Sequence, residues 1–126
     1  MSDGIFANTN YLAARKMLDY TTLRNQALSS NLANVEVAGY KRVDVSNDFQ
    51  SELTKAVENN STDKIQALEP KIVTDRTSVS TRADGNNVEM DRELMEMNRN
   101  ELEYEYSVKY INYNYDLINS AISSES

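Results

Sequence analysis

The stretch MDRELMEMNRNELEYEYSVKYINYNYDLINSAI (Met90–Ile122) holds one heptad register for nine steps. Its stripe is Met90, Leu94, Met97, Glu101, Tyr104, Val108, Ile111, Tyr115, Ile118 and Ile122, with Glu101 the one charged member. Such a period predicts a helix whose seam lies along other helices. At about 1.5 Å rise per residue that helix is roughly 50 Å long, more than one small globule covers. A helix of that length in a chain of 126 residues calls for partners, so the pattern points to assembly before chemistry.

Five tyrosines widen the apolar character of this helix. Tyr104 and Tyr115 fall on the seam, while Tyr106, Tyr110 and Tyr113 lie on other faces beside Leu102, Leu117 and Ala121. A helix apolar on several sides is buried on several sides, and tyrosine suits subunit contacts because its hydroxyl still finds a partner. The plainer alternative is a single-sided core helix with exposed tyrosines.

A second helix is predicted over about residues 8–36. Tyr11, Ala14, Leu18, Thr21, Asn25, Leu28, Leu32 and Val35 keep a 3-4-3-4-3-4-3 spacing, and Asn8 or Thr9 can cap its start. Thr21 and Asn25 interrupt the stripe; they either fix register or face a wet groove. Residues 1–42 carry five bases against three acids, whereas residues 84–126 carry ten acids against three bases. Opposite bias suits two helices lying against each other, within a subunit or between neighbours; solvated faces of two surface helices read the same way.

Between the helices, from about residue 40 to 83, the periodicity weakens. Gly39 ends the first helical unit, Asn59-Asn60-Ser61-Thr62-Asp63 is a turn-rich cluster, and Pro70 stops any helix. Phe49, Leu53 and Val57 suit a helix over about residues 49–58, while Lys64–Leu68 is too short to assign. Lys71–Thr74 and Ser78–Thr81 have strand-like composition and suggest a small hairpin or an extended arm, ordered by neighbours. Asp84-Gly85-Asn86-Asn87 marks a turn, with Asn87 the expected N-cap of a C-terminal helix over about residues 87–122 and Glu89, Asp91 and Glu93 at its positive end. The fold class is therefore all-α: one domain over residues 1–126, with long terminal helices paired as a coiled-coil-like hairpin and a partly irregular insertion.

Composition excludes much chemistry. The chain has no cysteine and no histidine, hence no disulfide framework, no thiolate and no imidazole base or ligand. Ser29-Ser30 has no histidine partner for a triad, and the three glycines form no phosphate-binding loop. In Asp84–Glu96 the glycine directly follows the first aspartate, the wrong place for a calcium loop. No catalytic residue, metal ligand or cofactor is expected, and the chain does not read as an enzyme. A net charge of −7 argues against nucleic acid. No apolar run suffices for a lipid span, and the start lacks the pattern of a cleaved secretory signal.

Two segments carry a family signature. Ser30-Asn31-Leu32-Ala33-Asn34-Val35-Glu36-Val37-Ala38-Gly39-Tyr40-Lys41 resembles the S-N-[IL]-A-N-x-x-T-P-G-Y-[KR] motif of bacterial flagellar rod and hook proteins. Asp84-Gly85-Asn86-Asn87-Val88-Glu89-Met90-Asp91-Arg92-Glu93-Leu94-Met95 is similar to the D-G-N-x-V-x-x-D-x-E block that opens the C-terminal helix in the proximal-rod member. Val37-Ala38 replaces the usual Thr-Pro, which relaxes that turn and could let the first helix run further toward Gly39.

The resemblance implies a structural subunit of the proximal rod, packing its paired terminal helices into an axial tube at the base of the drive shaft. It implies contacts with itself, with other rod proteins and with the junction protein between the MS ring and the rod. It implies a periplasmic location in the basal body, reached through the flagellar type III export gate without a cleaved signal. Phe49-Gln50-Ser51-Glu52-Leu53 is similar to the F-x-x-x-apolar element by which such subunits dock at that gate; an ordinary amphipathic turn reads alike. The expected assembly interface is Leu18, Leu28 and Leu32 in the first helix and Leu94, Met97, Tyr104, Val108, Ile111, Tyr115, Ile118 and Ile122 in the last. A cytoplasmic helical-hairpin adaptor or chaperone for a secreted client is the alternative from another class.

Overall fold

The structure is a computed structural model that describes residues 8–125. Its elements run α1 (Thr9–Ala33), β1 (Val43–Val45), α2 (Asp48–Glu58), α3 (Thr62–Ala67), β2 (Ile72–Thr74) and α4 (Met90–Glu125). Asn8 caps α1, its side-chain oxygen accepting from the Asn10 N–H at 2.7 Å. The helix stops at Ala33, earlier than the 36 expected. Its last carbonyls are met by the backbone N–H groups of Asn34 and Val35 and by the Asn34 side chain, so the Val37-Ala38 substitution does not lengthen it.

Antiparallel pairing of α1 and α4 follows from their contacts, since Asn31 meets Glu93 and Thr21 meets Asn100. By rise per residue α1 is about 37 Å long and α4 about 54 Å, so α4 overhangs its partner. It begins at Met90, three residues later than expected. Asn87 is not its cap, because the Asn87 side chain is committed elsewhere: its oxygen accepts from the Arg42 N–H at 2.6 Å and its amide donates to the Ser78 carbonyl at 3.0 Å.

The hydrophobic core lies between α1 and the insertion, not between the two long helices. Tyr20, Val45, Phe49, Leu53, Ala56 and Ile65 form it, and the Tyr20 and Phe49 rings stack at 5.6 Å. In α2 the spacing of Phe49, Leu53 and Ala56 puts all three on one buried face. α3, capped by Ser61, adds the fully buried Ile65. The insertion is therefore ordered by its own chain. Its strands also pair differently from expectation. β2 runs antiparallel to β1, with Val43 opposite Thr74 and Val45 opposite Ile72, whereas Ser78–Thr81 is not a strand. The polar side chains of Ser78 and Ser80 instead bond the carbonyls of Asn87 and Asn86.

The inner face of α4 is polar. Glu93, Glu96, Asn100, Glu103 and Ser107 repeat at 3-4-3-4 and are the positions turned toward α1 and the insertion. The apolar stripe lies one residue further along at most positions, a rotation of about 100°. Its members accordingly stay open: Leu94 is 44% exposed, Tyr104 45%, Tyr115 58% and Ile122 63%. Met97, Val108, Ile111 and Ile118 are half-buried at its edge, as are Leu18 and Leu32 of α1. Leu28 departs from the expected interface, being wholly buried within the chain.

This division predicts a split in variant behaviour. Phe49→Ala, inside the core, should cost about 3–5 kcal/mol in urea unfolding, whereas Leu94→Ala should stay within about 0.5 kcal/mol of the parent.

Candidate functional site

Both signature segments fold onto one junction at the end of the hairpin where α1 stops and α4 starts. The two turns meet through glycines held at positive φ, Gly39 at 75° and Gly85 at 81°, a backbone that side chains with a Cβ rarely adopt. The Gly39 N–H donates to the Asp84 carbonyl at 2.8 Å. Asn86, fully buried, spreads its side-chain amide over the carbonyls of Asn34, Val35 and Val37, at 2.8 to 3.1 Å. The Asn86 side-chain oxygen accepts from the Val88 N–H at 2.8 Å, and Asp84 Oδ1 accepts from the Asn86 N–H. One asparagine thus closes the turn leaving α1 and the turn entering α4.

Asn31 performs the matching task on the helix. Its amide donates to the Val43 carbonyl at 2.7 Å and to Glu93, while its oxygen accepts from the Val43 N–H at 2.8 Å and from the Tyr40 hydroxyl. The two bonds to Val43 imitate a strand partner, so Asn31 sews β1 to α1. Tyr40 reaches Ser30 as well, and the Asn34 amide bonds the Ser30 carbonyl. Val88 is buried and Ala33 exposed. Of the signature residues, Ser30, Asn31, Asn34, Gly39, Tyr40, Asp84, Gly85, Asn86 and Val88 are tied together here.

Beneath the turns lies an ionic network that the sequence reading missed. Arg42 is buried and pairs with three carboxylates: Glu93 through Nε, Asp75 through Nη1 at 2.8 Å, and Asp44 through Nη2 at 3.1 Å. Arg24 joins Asp44 at 3.1 Å to Glu96 at 2.8 Å. Four elements or turns are thereby tied by alternating charges. A carboxylate as buried as Glu93, at 0% exposure, requires such partners, since an unpaired charge there costs several kcal/mol. Burial alone would raise the Asp75 pKa, but the Thr77 hydroxyl and N–H donate to its carboxylate and Arg42 lies beside it, so the net shift is downward. The available clue was Arg42 directly following the Tyr40-Lys41 end of the first signature, with Glu93 inside the second.

The expected interface residues form no single cleft: eight follow one stripe of α4, from exposed to half-buried, while Leu18, Leu28 and Leu32 lie on α1, Leu28 wholly buried. Leu94, Met97 and Tyr104 do line one wall of a groove of about 660 Å³ whose other wall is Thr21, Thr22 and Asn25 of α1. Thr21 is buried and gives its carbonyl to Asn100, whereas Asn25 is exposed on this groove, so the two polar interruptions of the α1 stripe have different roles. Phe49 and Leu53 lie inside the core. Among the described residues no cluster of acidic side chains is set to hold a metal ion, and no helix is long and apolar enough to cross a membrane.

The network predicts an asymmetry. Arg42→Met leaves Glu93 and Asp75 without a cation, Asp44 keeping Arg24, and should destabilise the fold by more than the roughly 3–5 kcal/mol of Glu93→Leu, which leaves one guanidinium with two other partners; urea unfolding at neutral pH ranks them. For Asp75 the folded pKa lies below its ordinary value near 3.9, so its contribution is complete above that value and is lost as pH falls through the lower folded pKa. Unfolding midpoints followed from about pH 7 to about pH 2 should therefore fall less steeply at the acid end in Asp75→Asn than in the parent.

No family model matches the chain. Individual relatives do. The chain is 34% identical over 110 residues to the flagellar basal body rod protein FlgB of Cereibacter sphaeroides, covering 81% of this chain and 84% of the relative. It is 32% identical over 114 residues to FlgB of Escherichia coli strain K12, covering 75% and 78%. With FlgB of Buchnera aphidicola it shares 28% over 110 residues, covering 77% and 81%. The buried junction that unites two distant sequence motifs, the paired terminal helices and this extended similarity agree: the chain belongs to the FlgB family of flagellar basal body rod proteins.

Proposed function

We infer that this protein is a structural subunit of the flagellar basal body rod, built into the axial tube at its proximal end by helix packing. The observation that carries the reading is the rotation of α4. Polar side chains bind it to its own chain, while Leu94, Tyr104, Tyr115 and Ile122 stay open on the outside. A subunit that must bury helical seams against its neighbours needs that arrangement, because apolar side chains spent on the internal contact would be unavailable for the tube. The work is mechanical: the subunit transmits load through packed helices and performs no catalysis.

The partners that fit are other copies of this chain, neighbouring rod proteins and the junction protein at the MS ring. Residence in the periplasmic rod requires export through the flagellar type III gate without a cleaved signal. Phe49 and Leu53 serve as the gate-docking element only in an unfolded chain, since folding places both in the core. Secretion of Phe49→Ala should then fall below that of Val45→Ala, an equally buried core variant; equal secretion removes the element.

Assembly is tested in cells. In a strain lacking the gene, cryo-electron tomography should show an MS ring and export gate with no rod above them. Reintroduced Ile111→Glu should be synthesised at parental level and fail to restore the rod. An intact rod and hook in the deletion strain would return the chain to the cytoplasmic adaptor reading.

A further inference from the structure

α4 carries a second exposed apolar flank. Met95, Leu102, Tyr106, Tyr110, Tyr113 and Leu117 all stay open to solvent, Tyr106 at 76% and Tyr113 at 62%. At about 100° per residue they stand on the side of the helix roughly opposite the seam of Leu94, Met97, Tyr104 and Tyr115. An exposed polar ridge that includes Asn98, Glu105 and Asn112 divides the two flanks on the outside. Every large hydrophobic that α4 exposes belongs to one flank or the other. Elsewhere among the described residues the exposed large hydrophobics are Val37, Ile72, Val73 and Val79, none of them on a helix.

The flanks differ in charge. The bases of residues 84–126 are Arg92, Arg99 and Lys109. By the same rotation Arg92 and Arg99 stand within the tyrosine-rich flank, with Asp91 and Lys109 on its border with the ridge. The seam holds no base, and its one charge is Glu101, which is also the one charged residue lining the groove between seam and α1. Asn100 lines that groove too and its side-chain oxygen lacks a partner, but this atom is closed to any approaching group. Among the described residues Glu101 and Lys109 form no ion pair, and Arg99, 61% exposed, reaches Glu96 at 3.6 Å. An apolar surface with a lone carboxylate is buried at tolerable cost only against a surface that brings a cation. Of the exposed apolar surfaces, the tyrosine-rich flank is the one that is helical, matches the seam in length and carries bases.

We propose that the tyrosine-rich flank of one copy packs on the seam of the next, α4 parallel to α4, with Arg99 opposite Glu101. That pairing sets a shift of two residues, about 3 Å. Met95 then falls against Met97, Leu102 against Tyr104, Tyr106 against Val108 and Tyr113 against Tyr115, so the apolar positions of the two stripes coincide. Seam on seam would bury Glu101 without a cation, and tyrosine-rich flank on its own kind would press bases together. An antiparallel approach that brings Lys109 to Glu101 sets Arg99, in the middle of its flank, against Ile111. Because the flanks differ and lie on roughly opposite sides, the contact repeats from copy to copy and does not close on a dimer. This rests on the rod reading and specifies which faces of neighbouring subunits meet.

Charge reversal tests the pairing. In sedimentation at about 1 mM chain, full-length Arg99→Glu alone and Glu101→Arg alone should associate less than the parent. Their equimolar mixture should recover parental association, because every contact between unlike variants again joins a base to an acid. A mixture no more associated than the single variants overturns the proposal. The chain has no cysteine, so the geometry is tested without any change of charge. Full-length Met95→Cys mixed with full-length Met97→Cys and oxidised should yield a 95–97 dimer about tenfold above Met95→Cys with Glu52→Cys, through the raised local concentration of the two thiols. No excess over that control, or an excess for Met95→Cys with Tyr115→Cys instead, the mark of the antiparallel approach, overturns the proposal. The 95 and 97 variants co-expressed and oxidised in isolated basal bodies separate the two inferences. Protein present there without a 95–97 band rejects the flank-to-seam contact and keeps the rod subunit. Protein missing from basal bodies rejects the rod reading itself.

Discussion

The buried pairing of Arg42 with Glu93 is the constraint on which the rest of the molecule depends. Glu93 has no exposure to solvent, so its charge is tolerable only where the Arg42 guanidinium and the Asn31 amide meet it. That requirement fixes the rotation of α4 about its own axis. Once Glu93 points inward, Glu96, Asn100, Glu103 and Ser107 follow on the same face by helical period, and Leu94, Tyr104, Tyr115 and Ile122 of the apolar stripe turn outward. A single electrostatic demand near the start of a 36-residue helix thus sets what the helix shows along its length.

The consequence is a separation of tasks between two kinds of apolar surface. Stability is concentrated in the small core that the insertion builds against α1, where Tyr20 stacks on Phe49 and Ile65 closes the floor. The long hairpin contributes little of that core. Its seam carries hydrogen bonds and ion pairs, which are poor sources of net stability but strict about register. The apolar stripe of α4 is not used for that core, and Leu94, Tyr104, Tyr115 and Ile122 remain exposed. The insertion, weakly patterned in sequence, is therefore the part that makes the chain a folded unit.

Much of this was legible in the sequence. The two long helices followed from heptad spacing and α2 from Phe49, Leu53 and Val57; the two motifs were recognised as a signature, but not that they meet at one junction. The misses have physical causes. The Asn87 cap failed because a longer-range demand, the Arg42 N–H, took its side chain. The expected hairpin of residues 71–74 with 78–81 failed because β1 offers β2 a partner thirty residues away in sequence, and Asn31 anchors that partner to α1. The apolar stripe, read as a seam for other helices, is not what joins α4 to α1, because periodicity reports that a face is suited to burial and not which surface covers it. The polar 93-96-100-103-107 stripe has the same period and was invisible to a search for apolar residues.

By itself the sequence determined that two long helices flank an insertion, the turn at Gly39, the lack of any thiol or imidazole chemistry, and membership of a family of flagellar basal body rod proteins. These depend on local propensity and on residue types at fixed spacing, which short-range physics decides. Only the tertiary structure decided which face of α4 turns inward, that Leu28, Phe49 and Leu53 belong to the interior, and that Asn100 is left with an acceptor to spare. Those outcomes depend on which charges and amides can be satisfied together in one buried place, and that is a property of groups far apart along the chain.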